Sequence, residues 1–493
     1  MIVPLRTTGS HDGGPLMVSG GGSTAVATDE LIALCAGLRD LALHGSAWSD
    51  TLGALRWSCT DAALDDAVGT ARSRAAAIAA GADGLAGRLA EAADAYGAAE
   101  RAGARIREQV GGILGWFAGF LGLAIAPALL VTGAAVTAEV LLAWIAVQGV
   151  RRLRGDPVDD PAEWLQRHAG VINSPATVAV LRVLVSSVDD MAAGAVRVPL
   201  PVARGLGDSG AGVVGVDTSA MGVLLLGGLF GFLRETPVRS REVGEDGERL
   251  PSRSRRGADT GPPPGRPVAP PSGIGGLLDR VPTASVDGPQ VRIERYDDAE
   301  GTAWVAYIGG TVSWDAGDSS EPWDLTSNVH GVAGSDTGSY RAVIDALEQA
   351  GVDDGDRVLA VGHSQGGLLA ARLAADERFA ATGLVTAGAP IGQVDLPGDV
   401  PVLQLEHTDD LVPALGGFAP EDPSPEHLMV RREFLADRAE PVTGWVPAHD
   451  LSGYRETARV ADASADPRLE RIRTELGRIS GSGSATWWRG ERR

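Results

Sequence analysis

One short motif, with its flanks, limits what this chain can fold into more than any other stretch of it. Arg357 to Gly362 is an apolar, β-branched run, the composition of a strand covered on both faces. Leu368 to Asp376 is rich in Ala and Leu at helical spacing. Between them, Gly362-His363-Ser364-Gln365-Gly366-Gly367 contains the pattern G-x-S-x-G. A strand that turns directly into a helix forces its middle residue into a strained conformation, and small neighbours are needed at Gly362 and Gly366. The turn lifts the Ser364 hydroxyl above the sheet, beside the positive end of the following helix. These residues point to a nucleophilic serine.

Around this elbow, strand and helix patterns alternate. VRIERY (291–296) and AWVAYI (303–308) read as strands joined by a short turn, and Tyr340 to Ala350 as a helix. ATGLVTA (381–387) and VPVLQLEH (400–407) are further strands, and Leu451 to Ala463 is a late helix. Such alternation predicts a doubly wound, mostly parallel sheet with its site at the carboxyl ends of the strands. A serine nucleophile needs a base, and the base an orienting acid, in the order Ser, Asp or Glu, His. Thr408-Asp409-Asp410-Leu411-Val412-Pro413 follows VPVLQLEH, so Asp409 and Asp410 both stand where the acid belongs.

Of eight histidines, His11, His44, His168 and His330 precede the nucleophile. His363 adjoins it and is expected to point elsewhere along the turn. His407 falls on the strand before the acid, and His427 is assigned to the surface or a lid. His449, in Trp445-Val446-Pro447-Ala448-His449-Asp450 leading into the last helix, is the expected base. The long loop Ser313 to Asp336, with Trp314 and Trp323, is expected to wall or cover the acyl pocket.

Over roughly residues 290 to 465 the chain resembles the class 3 (fungal-type) lipases of the α/β-hydrolase fold. The matching pieces are Gly362 to Gly367, Gly388-Ala389-Pro390, His407 to Pro413 and Pro447-Ala448-His449. The resemblance implies an ester hydrolase with a Ser364, Asp410, His449 triad, because the family acid directly precedes an aliphatic-Val-Pro tripeptide. It also implies an oxyanion hole at Thr311, in Ile308-Gly309-Gly310-Thr311, and at the N–H of Gln365. The chain departs from the family at Gly309, where Arg is usual. Gln365 is also similar to its counterpart in cutinase-like and PE-PPE serine esterases. A lipid or other acyl ester is the implied substrate, and no metal or organic cofactor is expected.

The rest of the chain bounds the setting. It has 493 residues, a formal net charge of -21 and no lysine, a balance that argues against nucleic acid. Residues 1–108 read as a helical region. It resembles the WXG-type helical hairpins of type VII secretion: a helix, a turn at Trp57, and a second helix ending Tyr96-Gly97-Ala98-Ala99-Glu100. Trp57-Ser58-Cys59 lacks the family's glycine. That resemblance implies a helical partner and non-classical export, in a chain whose start has no cleavable signal pattern.

Cys35 and Cys59 are open to pairing or to burial as thiols. Residues 109–233 form an apolar helical region. Val110 to Ala138 carries no charge, a second apolar run follows Glu139 from Val140 to Val147, and both are bracketed by Arg, so 110–147 is expected to associate with a membrane, a buried helix pair being the other reading. Residues 234–272, rich in Pro, Arg and Gly, are read as a disordered linker. An independent hydrolase domain is expected over 273–480, and a tail over 481–493.

Overall fold

The structure is a computed structural model that describes residues 15–20, 23–56, 61–92, 111, 169–187, 199, 235–250, 265–298, 301–313, 320–418, 424–436, 438 and 446–492. Its centre is a sheet of eleven strands, helix-covered on both faces, which makes the architecture α/β. In chain order the strands are β1 (Met17–Gly20), β2 (Ser23–Thr28), β3 (Val238–Val243), β4 (Arg266–Val268), β5 (Val291–Asp298) and β6 (Gly301–Ile308). After them come β7 (Arg357–His363), β8 (Ala380–Ala387), β9 (Val402–His407), β10 (His427–Arg432) and β11 (Ser482–Arg492). The helices used below are α1 (Asp29–Arg56), α2 (Pro175–Ser186), α3 (Gly273–Leu278), α4 (Leu325–Val332) and α5 (Gly338–Ala350). They continue with α6 (Gln365–Ala374), α7 (Leu411–Ala414), α8 (Leu451–Ala463) and α9 (Pro467–Leu476).

The strand order is β2-β1-β10-β9-β8-β7-β6-β5-β11-β3, with β4 paired to β11. Strands β6 to β10 run parallel in sequence order, so their carboxyl ends share one edge. Helices α5 and α6 cover one face around Ala342, Leu347, Leu368 and Leu369, all fully buried. Helices α3, α8 and α9 cover the other around Ile274, Tyr454 and Leu469. With both faces covered, β9 is buried throughout and β7 from Val358 onward, and the apolar stretch Val358 to Val361 is why β7 reads as a continuous run.

The sheet is mixed rather than mostly parallel: four pairings are parallel and six antiparallel. Both flanks come from segments expected to lie outside it. Residues 481–493 are no tail, because β11 is inserted between β5 and β3, with Trp488 buried on the α5–α6 side. The segment read as a linker supplies β3 and β4. Strand β3 has few apolar residues, and Ser240 secures it to α5 through its N–H on Asp345 and its hydroxyl on the Ala342 carbonyl. The helical region 1–108 likewise begins with β1, which extends the sheet beyond β10. Met17 and Val18 lie opposite Arg431 and Val430, and Leu16 and Val18 are buried.

Helix α1 and the helical residues 62–92 form a hairpin joined by Arg56 and Asp65, 2.8 Å apart, with Ala75, Ala79 and Ala86 buried. Cys35 is a free, buried thiol on this hairpin. Trp57, Cys59 and Tyr96 to Glu100 lie outside the described residues, as does 110–147 apart from Gly111. Among the described residues no helix is long and apolar enough to cross a membrane.

Candidate active site

Ser364 sits between β7 and α6 with φ 56° and ψ −126°, the only non-glycine residue with positive φ among those described. That strain is held by close backbone packing. A methyl group at Gly362 would come within 2.1 Å of the Gly366 carbonyl oxygen, and one at Gly366 within 2.2 Å of the Ile308 oxygen. The two glycines are required because strand, turn and neighbouring strand touch through their main chains.

The three sequence-predicted groups meet. His449 Nε2 lies 2.8 Å from Ser364 Oγ, and His449 Nδ1 lies 2.7 Å from Asp410 Oδ2. His449 closes a short 3-10 turn, Pro447–His449, directly before α8. Asp410 follows β9 and caps α7 by accepting the Val412 N–H at 2.9 Å. The Tyr454 hydroxyl donates to Asp410 Oδ2 at 2.8 Å. Ser364, Asp410 and His449 are 3%, 0% and 7% exposed, so their electrostatics act largely out of water. Burial would raise the Asp410 carboxyl, but His449, Val412 and Tyr454 more than offset it and hold the group below its usual range.

Asp409 does other work. It accepts the N–H groups of Phe434 at 3.0 Å and Leu435 at 2.7 Å, so it is a buried structural brace rather than a solvated turn residue. Burial pushes its carboxyl up.

The expected oxyanion residues flank the nucleophile. Gln365 opens α6, so its N–H belongs to the first turn of a helix, where such groups lack helical partners. A Cβ on Gly310 would lie 3.1 Å from Ser364 Cβ, which brings the Gly310-Thr311 backbone against the elbow. Thr311 Oγ1 accepts a hydrogen bond from Asn328 Nδ2 at 2.9 Å. The loop from Ser313 to Asp336 contains α4, started by the Asp324 side chain accepting the Ser327 N–H. Trp323 is fully buried in the core and does not wall a pocket; Trp314 lies outside the described residues.

Two histidines, His363 and His427, sit differently from expectation, while His407 ends its strand as expected. His363 turns toward His449: its Nε2 donates to the His449 carbonyl at 2.9 Å, and the two rings are 5.0 Å apart. His407 is buried between the rings of Phe434 and Tyr454. His427 opens β10, half-buried, with Nε2 on the Pro397 carbonyl at 3.2 Å, so it belongs to the sheet rather than to a lid. Burial pulls the His363 imidazole down to about 3 and His407 to about 4. Sequence reasoning passed over His363, His407 and Tyr454. The available signal was position: His363 and His407 end the strands that lead to Ser364 and Asp410, and Tyr454 lies in the first turns of the helix after His449.

A hydroxyl on a strained elbow, an imidazole with one nitrogen on it, and a buried carboxylate on the other nitrogen form an arrangement suited to nucleophilic acyl transfer. Among the described residues no group of three His, Cys, Asp or Glu is placed to hold a metal. The chain is 36% identical over 132 residues to a protein described as "Putative esterase NocK" from Nocardia uniformis subsp. tsuyamanensis. The match covers 25% of this chain and 36% of that relative, so the chain spans about a third of the relative's length. No family model matches the sequence, and no solved structure matches it. The relative's esterase description and the mixed, helix-covered sheet both fit a hydrolase fold.

Proposed function

We propose that this chain is an α/β-hydrolase of the lipase or esterase kind, which cleaves carboxylic esters through an acyl-enzyme on Ser364. The observation that carries the reading is the His449 ring, bonded at once to Ser364 Oγ at 2.8 Å and to Asp410 Oδ2 at 2.7 Å. An Nδ1–H donated to the carboxylate leaves Nε2 unprotonated, the tautomer a general base needs. Ser364 Oγ attacks the ester carbonyl while its proton passes to His449 Nε2. The oxyanion is received by the N–H groups of Thr311 and Gln365. Collapse of the tetrahedral intermediate expels the alcohol, which takes the proton from His449. Water, deprotonated by the same imidazole, then releases the acid. Asp410 stays ionised throughout and keeps the ring in register.

The proposed substrate has a lipid-like acyl chain, and the Arg-bracketed apolar run 110–147 is proposed to bring the enzyme to lipid. Type VII-like export and a helical partner for the N-terminal hairpin rest on the sequence pattern alone. The full chain, offered p-nitrophenyl esters of graded length, should prefer longer chains and should label with a fluorophosphonate probe. Ser364→Ala should abolish both activities, and the full chain should sediment with lipid vesicles where one lacking 110–147 does not. An unlabelled, inactive wild type sinks the hydrolase reading. Preference for acetate, or no sedimentation, sinks only the lipid part.

A further inference from the structure

The base sits on a turn too short to satisfy its own carbonyls. Pro447–His449 is a three-residue 3-10 segment in which the Val446 carbonyl accepts the His449 N–H at 2.9 Å. The Pro447 carbonyl accepts the Asp450 N–H at 3.4 Å, and the two carbonyls after it face side chains. His407 Nδ1 lies 2.6 Å from the Ala448 oxygen, and His363 Nε2 lies 2.9 Å from the His449 oxygen.

We propose that His407 and His363 are positioning residues for the base: each donates one N–H to a carbonyl of this turn and so fixes where His449 stands between Ser364 and Asp410. The inference rests on the hydrolase reading above and extends it to residues that touch no substrate.

The geometry determines each imidazole's proton. A carbonyl oxygen only accepts, so the proton of His407 is on Nδ1 and that of His363 on Nε2. His407 Nε2 is then an acceptor, and Thr457 Oγ1, 2.8 Å away, donates to it. The His407 ring cannot swing, because it is stacked on Tyr454 at 3.9 Å and 6° and on Phe434 at 4.6 Å and 12°. Tyr454 links the clamp to the acid, since its hydroxyl accepts the His407 main-chain N–H at 3.1 Å and donates to Asp410. Both histidines end buried strands of the parallel centre, whereas the base itself lies on a short 3-10 turn. Burial keeps both rings neutral near pH 7, so each retains an unprotonated nitrogen. A misplacement of about 1 Å in such a constellation costs on the order of a hundredfold in rate, which sets the scale expected when one hold is lost.

Two amide isosteres separate positioning from packing. Asn places its NH2 near the Nδ1 position of histidine, and Gln near Nε2. In the full chain, His407→Asn should keep kcat on p-nitrophenyl butyrate within about threefold, while His407→Gln lowers it at least tenfold with KM unchanged. At position 363 the order should reverse, with His363→Gln tolerated and His363→Asn impaired. The same order at both positions, or a change in KM alone, overturns the inference.

A readout on unaltered protein covers the case in which variants do not fold. With 15N-labelled histidine, nitrogen–proton correlation spectra near neutral pH should show His407 as the Nδ1–H tautomer and His363 as the Nε2–H tautomer. Any other pair of states overturns the proposal. If the wild type neither hydrolyses nor labels, the hydrolase reading itself falls. If it labels but the tautomers or the amide order are wrong, only this inference falls.

Discussion

Asp409 and Asp410 are chemically identical neighbours with opposite assignments. Asp410 receives the His449 Nδ1–H, while Asp409 turns back to brace the Phe434 and Leu435 backbone. Asp410→Asn should therefore cut kcat by a factor on the order of 10⁴, the scale for an imidazole held in the wrong tautomer, with little loss of fold. Asp409→Asn keeps one acceptor for two N–H donors and should cost on the order of 1 kcal/mol in stability, with activity per folded molecule little changed. Ester turnover alongside urea unfolding checks both, and a larger rate loss at Asp409 would reverse the assignments. From local sequence alone the pair could not be separated, because each lies just past a strand end. What decides is which carboxylate faces a loop that returns 39 residues later, and that is a tertiary fact. The serine was legible for the opposite reason: everything that strains Ser364 is within the pentapeptide or in the adjoining strand.

Elements were legible where side chains made them and obscure where the backbone did. Strands β7, β8 and β9 are covered on both faces and carry their burial in their composition. β3 reads as a charged linker because its place rests on its ladder with β11 and on the polar hold of Ser240. The buried ends of β7 and β9 carry a pH signature. His407 accepts its proton at about pH 4 in the fold and at the ordinary value of 6.5 when unfolded. Burial is the main cause, opposed by the Ala448 carbonyl and Asp410, and joined by Arg432 and His449. The unfolded chain thus binds more protons between these values, and stability falls as pH drops through that window. His363 acts in the same sense, down to about pH 3. Glu321, whose carboxyl burial pushes up to about 7, acts in the opposite sense between about pH 4.5 and 7, so the wild-type slope is a partial cancellation. His407→Asn removes one component. Urea unfolding at several pH values should give the variant a stability that falls about 1.4 kcal/mol less per pH unit between pH 6 and 4.5. An unchanged slope would mean that His407 is already charged in the fold.

At the scale of the whole molecule, the site depends on segments far from it in sequence. β1 completes the ladder of β10, and Arg182 on α2 meets the buried Glu406 of β9 at 3.2 Å. β3 and β4 close the outer side of β11, where Val243 packs with Trp487 and Ala485. The sequence predicts an independent unit starting at residue 273, but a fragment 273–493 would lack β1, α2, β3 and β4. It should unfold at a lower urea concentration than 235–493, and both at a lower one than the full chain. Equal midpoints would show that the flanking strands add nothing. The same insertion of β11 between β3 and β5 has a consequence for synthesis. Strands β6 to β10 each pair with the strand made just before them, so the central ladder is able to form while translation continues. β3 must wait for a partner made about 250 residues later. Until residues 482–492 leave the ribosome, β3 and β5 present open edges to any other nascent chain, the interval in which strand-edge aggregation is favoured.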